Sequence, residues 1–115
     1  MHEVSIAQSI IQIIEEVLPK NKKGFVSAVK IKVGQLSAIE TDALLFAFDI
    51  VKAKTLLHSA KLNIEIIEGG ALCNDCKQDF RLSSFATPCP YCGSYRVSIT
   101  VGKEMKVVSY DFEEN

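Results

Sequence analysis

Apolar and polar residues alternate along this chain with two different periods, and the period switches several times. From Val4 to Leu18 the positions Ala7, Ile10, Ile11, Ile14, Val17 and Leu18 recur at helical spacing, with Gln12, Glu15 and Glu16 turned away. A helix is expected over 4–18, ending before Pro19. Lys20, Lys22 and Lys23 follow in a solvated turn and suit the negative end of that helix dipole. Phe25, Ser27, Val29, Ile31 and Val33 then alternate with Lys30 and Lys32, the period of a half-buried strand closed by Gly34. Ser37 and Glu40 stand at capping-box spacing before a second helical stripe, Leu44, Leu45, Phe48 and Val51, which fades near Lys54. Leu62, Ile64 and Ile66 predict a second strand that stops at Gly69-Gly70. Beyond Gly102, Met105, Val107, Ser109 and Asp111 alternate with Lys106, Val108, Tyr110 and Phe112 as a last strand returning to the first sheet.

Residues 71–102 interrupt this order. The segment has few large aliphatic residues and holds all four cysteines, as Cys73-Asn-Asp-Cys76 and Cys89-Pro-Tyr-Cys92. Two Cys-x-x-Cys turns facing each other complete a tetrahedral thiolate site whose default occupant is zinc, and ligation can replace the missing burial. The expected fold class is therefore α+β: a small mixed three-stranded sheet with two helices on one face, plus an inserted zinc-ribbon domain. Residues 1–70 and 103–115 form the α/β domain, and 71–102 the ribbon. With Cys73, Cys76, Cys89 and Cys92 all ligating, no position is open for a water, so the zinc is structural. A deaminase would need a His-x-Glu partner, but Glu3 follows His2 directly, and Ser59 and Ala60 follow His58. A thioredoxin-like role is disfavoured because such motifs occur singly. Phe80, Phe85, Tyr91 and Tyr95 are expected to cover the small module.

Composition narrows the partners. The chain has 115 residues, 48% of them hydrophobic and 23% charged, which suits one ordinary soluble domain with a core. Its 13 Lys and Arg against 14 Asp and Glu create no field to attract nucleic acid or an anionic membrane. Within the ribbon, Lys77, Arg81 and Arg96 face Asp75 and Asp79, too little positive charge to neutralise a phosphate backbone. The apolar stretch after His2 is broken by Gln8, Gln12, Glu15 and Glu16 and lacks a basic leader, so a cytoplasmic location is expected.

One of only two histidines stands beside the amino terminus, in Met1-His2-Glu3. An α-amine and an adjacent imidazole bind one ion through short chelate rings, joined by the His2 amide if it loses its proton. Nickel(II) and copper(II) favour such nitrogen-rich sets. The bulk of His2 is expected to leave Met1 in place as the amine donor, with Glu3 adding an oxygen, its amide or an outer contact. Against this, Met-His can stand at a terminus by chance, and Glu3 can simply favour a helix start. His58 has no carboxylate or cysteine at ligand spacing and reads as a solvated loop residue.

Taken in order, Met-His-Glu, the "QSI" helix, the strand ending "VG", "LLFAFDIV", "AKLNIEI", the first Cys-x-x-Cys, "CPYCGS" and "GKEMKV" resemble the HypA/HybF nickel metallochaperones over essentially the whole chain. The resemblance implies a nickel site at Met1, His2 and Glu3 and a zinc site at Cys73, Cys76, Cys89 and Cys92. It also implies that the protein is not an enzyme, that it cooperates with the maturation GTPase HypB, and that it supplies the [NiFe]-hydrogenase large subunit. Some members also supply urease. Some carry histidines beside the zinc cysteines; this sequence has none there. The competing reading is a structural zinc-ribbon adaptor that binds proteins and carries no transferable metal. No catalytic triad or phosphate-binding glycine loop is visible, so energy for a transfer must come from a partner.

Overall fold

In the computed structural model, which describes residues 2–115, the elements run α1 (Glu3–Val17), β1 (Gly24–Gly34), α2 (Thr41–Val51), β2 (Lys61–Ile67), β3 (Gly70–Cys73), β4 (Asp79–Arg81), β5 (Val97–Val101) and β6 (Met105–Glu114). The fold is α+β, with two helices and two three-stranded sheets, ordered β2-β1-β6 and β4-β3-β5.

Helix α1 buries Ala7, Ile10, Ile11 and Ile14, as its spacing requires. Val17, expected on the same face, is 59% exposed. The helix stops there, and extended backbone at Leu18 (φ −64°, ψ 144°) carries the Leu18 side chain into the interior instead. The three lysines fall beyond the last turn, which contains no basic residue. Lys22 pairs with Glu114 at 2.9 Å, so it meets the far end of the chain rather than the helix dipole.

Helix α2 packs on α1 and buries Leu44, Ala47 and Phe48, while Leu45 is exposed. Its N-cap is Glu40, three residues past the expected Ser37, and no side chain of the cap bonds into the helix. Ser37 is buried, its N–H bonded to the Gly34 carbonyl in a turn that reaches positive φ at Ala38.

Strand β1 is central. Gly34 N–H donates to Glu104 O at 2.7 Å and Asn115 N–H to Lys23 O at 3.0 Å, so β6 runs antiparallel to it. On the other side, Lys30 meets Glu65 and Gln35 N–H meets Ile67 O; the partners advance in the same sense, and the sheet is mixed. One face buries Val29, Ile31 and Leu62, and the other exposes Lys30, Asn63 and Glu65. Val26 is also fully buried, although it has the opposite parity from Val29. A matching switch occurs in β6, where half-buried positions pass from Val107 to Tyr110 and Phe112. Ile66, expected inward, is half exposed near the end of β2.

The chain divides into two compact units: the first runs to Ile31 and includes Ile39–Glu65 and Lys106–Asn115, and the second comprises Lys32–Ala38 and Ile66–Met105. The second unit thus takes in 32–38 besides the cysteine segment. In it β3 pairs antiparallel with β4 and β5, with a bulge at Gly70/Ala71. Its buried cluster is Leu36, Ala71, Cys73, Phe80, Leu82 and Cys89, with Cys76, Val97 and Ile99 packed against it. Leu36 brings the 32–38 segment into this cluster, and Leu36 N–H bonds Gly102 O at 2.7 Å. That approach needs glycine: a Cβ on Gly34 would sit 2.1 Å from Gly102 O, and Gly102 itself has φ 108°. Among the described residues no helix is long and apolar enough to cross a membrane.

Candidate metal centres

Cys73 ends β3, Cys76 closes the turn after it, and Cys89 and Cys92 lie in the loop before β5. Their four sulfurs lie within 4.8 Å of one another, with Cys73 Sγ to Cys92 Sγ and Cys76 Sγ to Cys89 Sγ both 3.6 Å. That spacing excludes disulfides, whose sulfurs stand about 2.05 Å apart. It is close to the ~3.8 Å edge of a tetrahedron with arms of about 2.3 Å, the usual zinc–thiolate length. The donor set therefore fits a zinc ion with all four positions taken by protein.

The two turns repeat one backbone pattern. Cys73 N–H donates to Gln78 O and Cys73 O accepts from Lys77 N–H; Cys89 N–H donates to Ser94 O and Cys89 O accepts from Gly93 N–H. Amides also point at sulfur: Cys76 N–H to Cys73 Sγ at 3.5 Å and Tyr91 N–H to Cys89 Sγ at 3.4 Å. Such bonds stabilise thiolate. The Cys76 amide is the main cause drawing Cys73 down to about 7. Cys76 shows the opposing effect: although the Gln78 amide lowers it, burial and the thiols of Cys89, Cys73 and Cys92 push it up to about 12. Several thiolates this close repel, and a divalent cation converts the repulsion into ligation.

Outside the sulfurs, Asp75 joins the turns. Its carboxylate accepts from Ser94 Oγ and pairs with Arg96 at 3.3 Å, while Asn74 exchanges hydrogen bonds with Ser98. Cysteine spacing alone does not reveal these residues. Of the two equivalent positions four residues after Cys73 and Cys89, both with positive φ, only Gly93 is a residue type that favours such a backbone; the other is Lys77. Phe80 is buried as expected. Phe85, Tyr91 and Tyr95 are mostly exposed and do not cover the module.

At the other candidate centre, His2 is the N-cap of α1, exposed and extended (φ −96°, ψ 101°), with no side-chain cap bond. Met1 lies outside the described residues. The first intrahelical bond is Ile6 N–H to His2 O, so the N–H groups of residues 2–5 are not spent inside the helix. His2, Glu3 and Val4 border a shallow cavity of about 350 Å³ that α2 completes with Ala43, Phe46, Ala47 and Ile50. The Glu3 carboxylate accepts the Glu40 N–H at 3.3 Å, a contact no sequence pattern indicated. That amide holds the Glu3 carboxyl below the usual glutamate range. His58 is exposed in a turn, its N–H bonded to Thr55 O.

The family profile described as hydrogenase/urease nickel incorporation, metallochaperone, HypA matches residues 1–112. The chain belongs to the HypA family. It is 38% identical over 109 residues to the hydrogenase maturation factor HypA of Parabacteroides distasonis, covering 95% of each chain. To that of Geotalea uraniireducens it is 38% identical over 114 residues, covering 98% of this chain and all of the relative. The solution structure of the Ni metallochaperone HypA from Helicobacter pylori is similar, with a TM-score of 0.68 at 30% identity over 96% of this chain and 97% of that one. HypA is a family of metallochaperones and maturation factors, not of enzymes.

Proposed function

We propose that this chain binds nickel(II) at its amino terminus and delivers it to the [NiFe]-hydrogenase large subunit, while zinc held by Cys73, Cys76, Cys89 and Cys92 keeps the ribbon folded. The observation that carries the reading is the match of a nickel-incorporation family across residues 1–112, with an exposed histidine at the start of α1. Met1 supplies the amine, His2 the imidazole, and Glu3 assists. The local backbone suits this set: the His2 and Glu3 amides precede the first helical hydrogen bond, so either can turn to a metal without breaking the helix. A site at a chain end can also be approached by an acceptor's ligands.

The nickel site belongs to the domain that carries α1 and α2, and the cysteine-bearing ribbon is a structural insert in it. Energy for transfer comes from the maturation GTPase HypB, since this chain has no phosphate-binding loop of its own. The exchange takes place in the cytoplasm, and urease is a second recipient in organisms that make it.

The test is a nickel titration with zinc retained, on the native protein, on His2→Ala and on a protein with two residues added before Met1. Both changes should abolish tight binding of one nickel; unchanged affinity and stoichiometry in both reject the terminal site. An amine and an imidazole ligate only when unprotonated, so affinity should also fall steeply on acidification. A flat titration between mildly acid and neutral pH counts against these ligands.

A further inference from the structure

The Glu3 carboxylate has a partner that nickel binding does not explain. Its Oε2 accepts the N–H of Glu40, the N-cap of α2, which is extended (φ −83°, ψ 109°) and has no side-chain cap bond. In a capping box that N–H is met by a Glu or Gln at the third position of the same helix. In α2 the third position is Ala43, which has no acceptor. Glu3, 37 residues upstream and on another helix, supplies it instead. The positive end of the α2 dipole favours a carboxylate there.

The contact has a second effect. Glu3 is the first residue of α1 and follows His2 directly, so whatever holds Glu3 also restrains the His2 backbone relative to α2. His2 and Glu3 line one cavity together with Ala43 and Ala47.

We infer that Glu3 is a positioning residue: its carboxylate caps α2 from outside the helix and thereby holds His2 in place for nickel, and that carboxylate does not ligate the ion. The inference rests on the terminal nickel site proposed above. A carboxylate turning to the metal would give up both an amide and a favourable helix end.

The experiment compares the native protein with Glu3→Gln, Glu3→Ala and the double variant Glu3→Ala/Glu40→Ser, all zinc-loaded and with an unmodified amino terminus. Without nickel, amide hydrogen exchange at Glu40 should quicken by about tenfold in Glu3→Ala, the equivalent of one lost capping interaction, and less in Glu3→Gln, whose amide oxygen still accepts. Unchanged exchange in Glu3→Ala overturns the cap. In nickel titrations Glu3→Ala should lose about tenfold in affinity while Glu3→Gln stays near the native value, with the ligand-field absorption unchanged in both. An altered spectrum, or equal loss in the two variants, makes the carboxylate a ligand and overturns the inference. Glu40→Ser gives α2 a cap of its own, so the double variant should regain thermal stability but not nickel affinity. Recovery of both would reduce Glu3 to a helix-stabilising role and overturn positioning. Nickel binding that survives His2→Ala would sink the terminal site instead, and the exchange rate at Glu40 would still report on the cap.

Discussion

Lys77 and Gly93 occupy equivalent places in the two cysteine turns, each donating to the carbonyl of the cysteine four residues earlier, with φ of 64° and 77°. Only one of them is the residue such a backbone prefers. An added Cβ at Gly93 would meet nothing within 4 Å, so Gly93→Ala is a test of conformation alone. It should cost about 1–2 kcal/mol. Lys77→Gly relieves similar strain but frees the unfolded chain by about 0.4–1 kcal/mol, leaving a small net change. Chelator competition for zinc, followed at several temperatures, checks the asymmetry; an equal effect of the two changes would show that the turns are not equivalent. At this scale the cysteines were legible from spacing because metal geometry demands it. Asp75, Ser94 and Glu40 were not, since each works through a partner 19 or 37 residues away.

Among the elements, α1 and α2 bury the middle of their apolar stripes, Ile10, Ile11 and Ile14 in one and Leu44 and Phe48 in the other, while Val17 and Leu45 stay exposed. Phe48 is the largest fully buried side chain, and Phe48→Ala should destabilise by about 3–5 kcal/mol, seen as a large fall in Tm. Loss of less than about 1 kcal/mol would mean that the site collapses around the gap. Strand β1 is less obedient. Its burial runs Val26, Val29, Ile31, Val33, a step of three residues where strict alternation of the pleat gives two. Where β1 ends, Gly34→Ala would drive a methyl into Gly102 O, 2.1 Å away, and should cost at least about 1–3 kcal/mol. A thermal melt of that variant matching the native one would contradict the packing. Alternation showed that these segments are strands. The faces that Ile66 and Tyr110 take depend on neighbours that no local window contains.

For the molecule as a whole, the second unit is small, and its buried cluster counts two cysteines among six residues. Ligation is expected to supply much of its stability, as in other small metal-held modules. A strong zinc chelator, or Cys89→Ser, should therefore unfold the ribbon while the α1–α2 core keeps its helical signal. Simultaneous loss of both by circular dichroism and amide exchange would show that they fold as one. Several properties were dictated locally and so could be read from the chain alone: two helices from 3.6-residue stripes, β1, β2 and β6 from alternation though not the short β3, β4 and β5, a four-sulfur site from paired Cys-x-x-Cys turns, and family membership from the order of its motifs. Tertiary structure decided what depends on distant segments meeting: Leu36 joining the ribbon's cluster, Lys22 meeting Glu114, and Glu3 capping a helix that begins far downstream. Local periodicity records which side of an element is buried, whereas the identity of the covering partner is set only when the chain closes on itself.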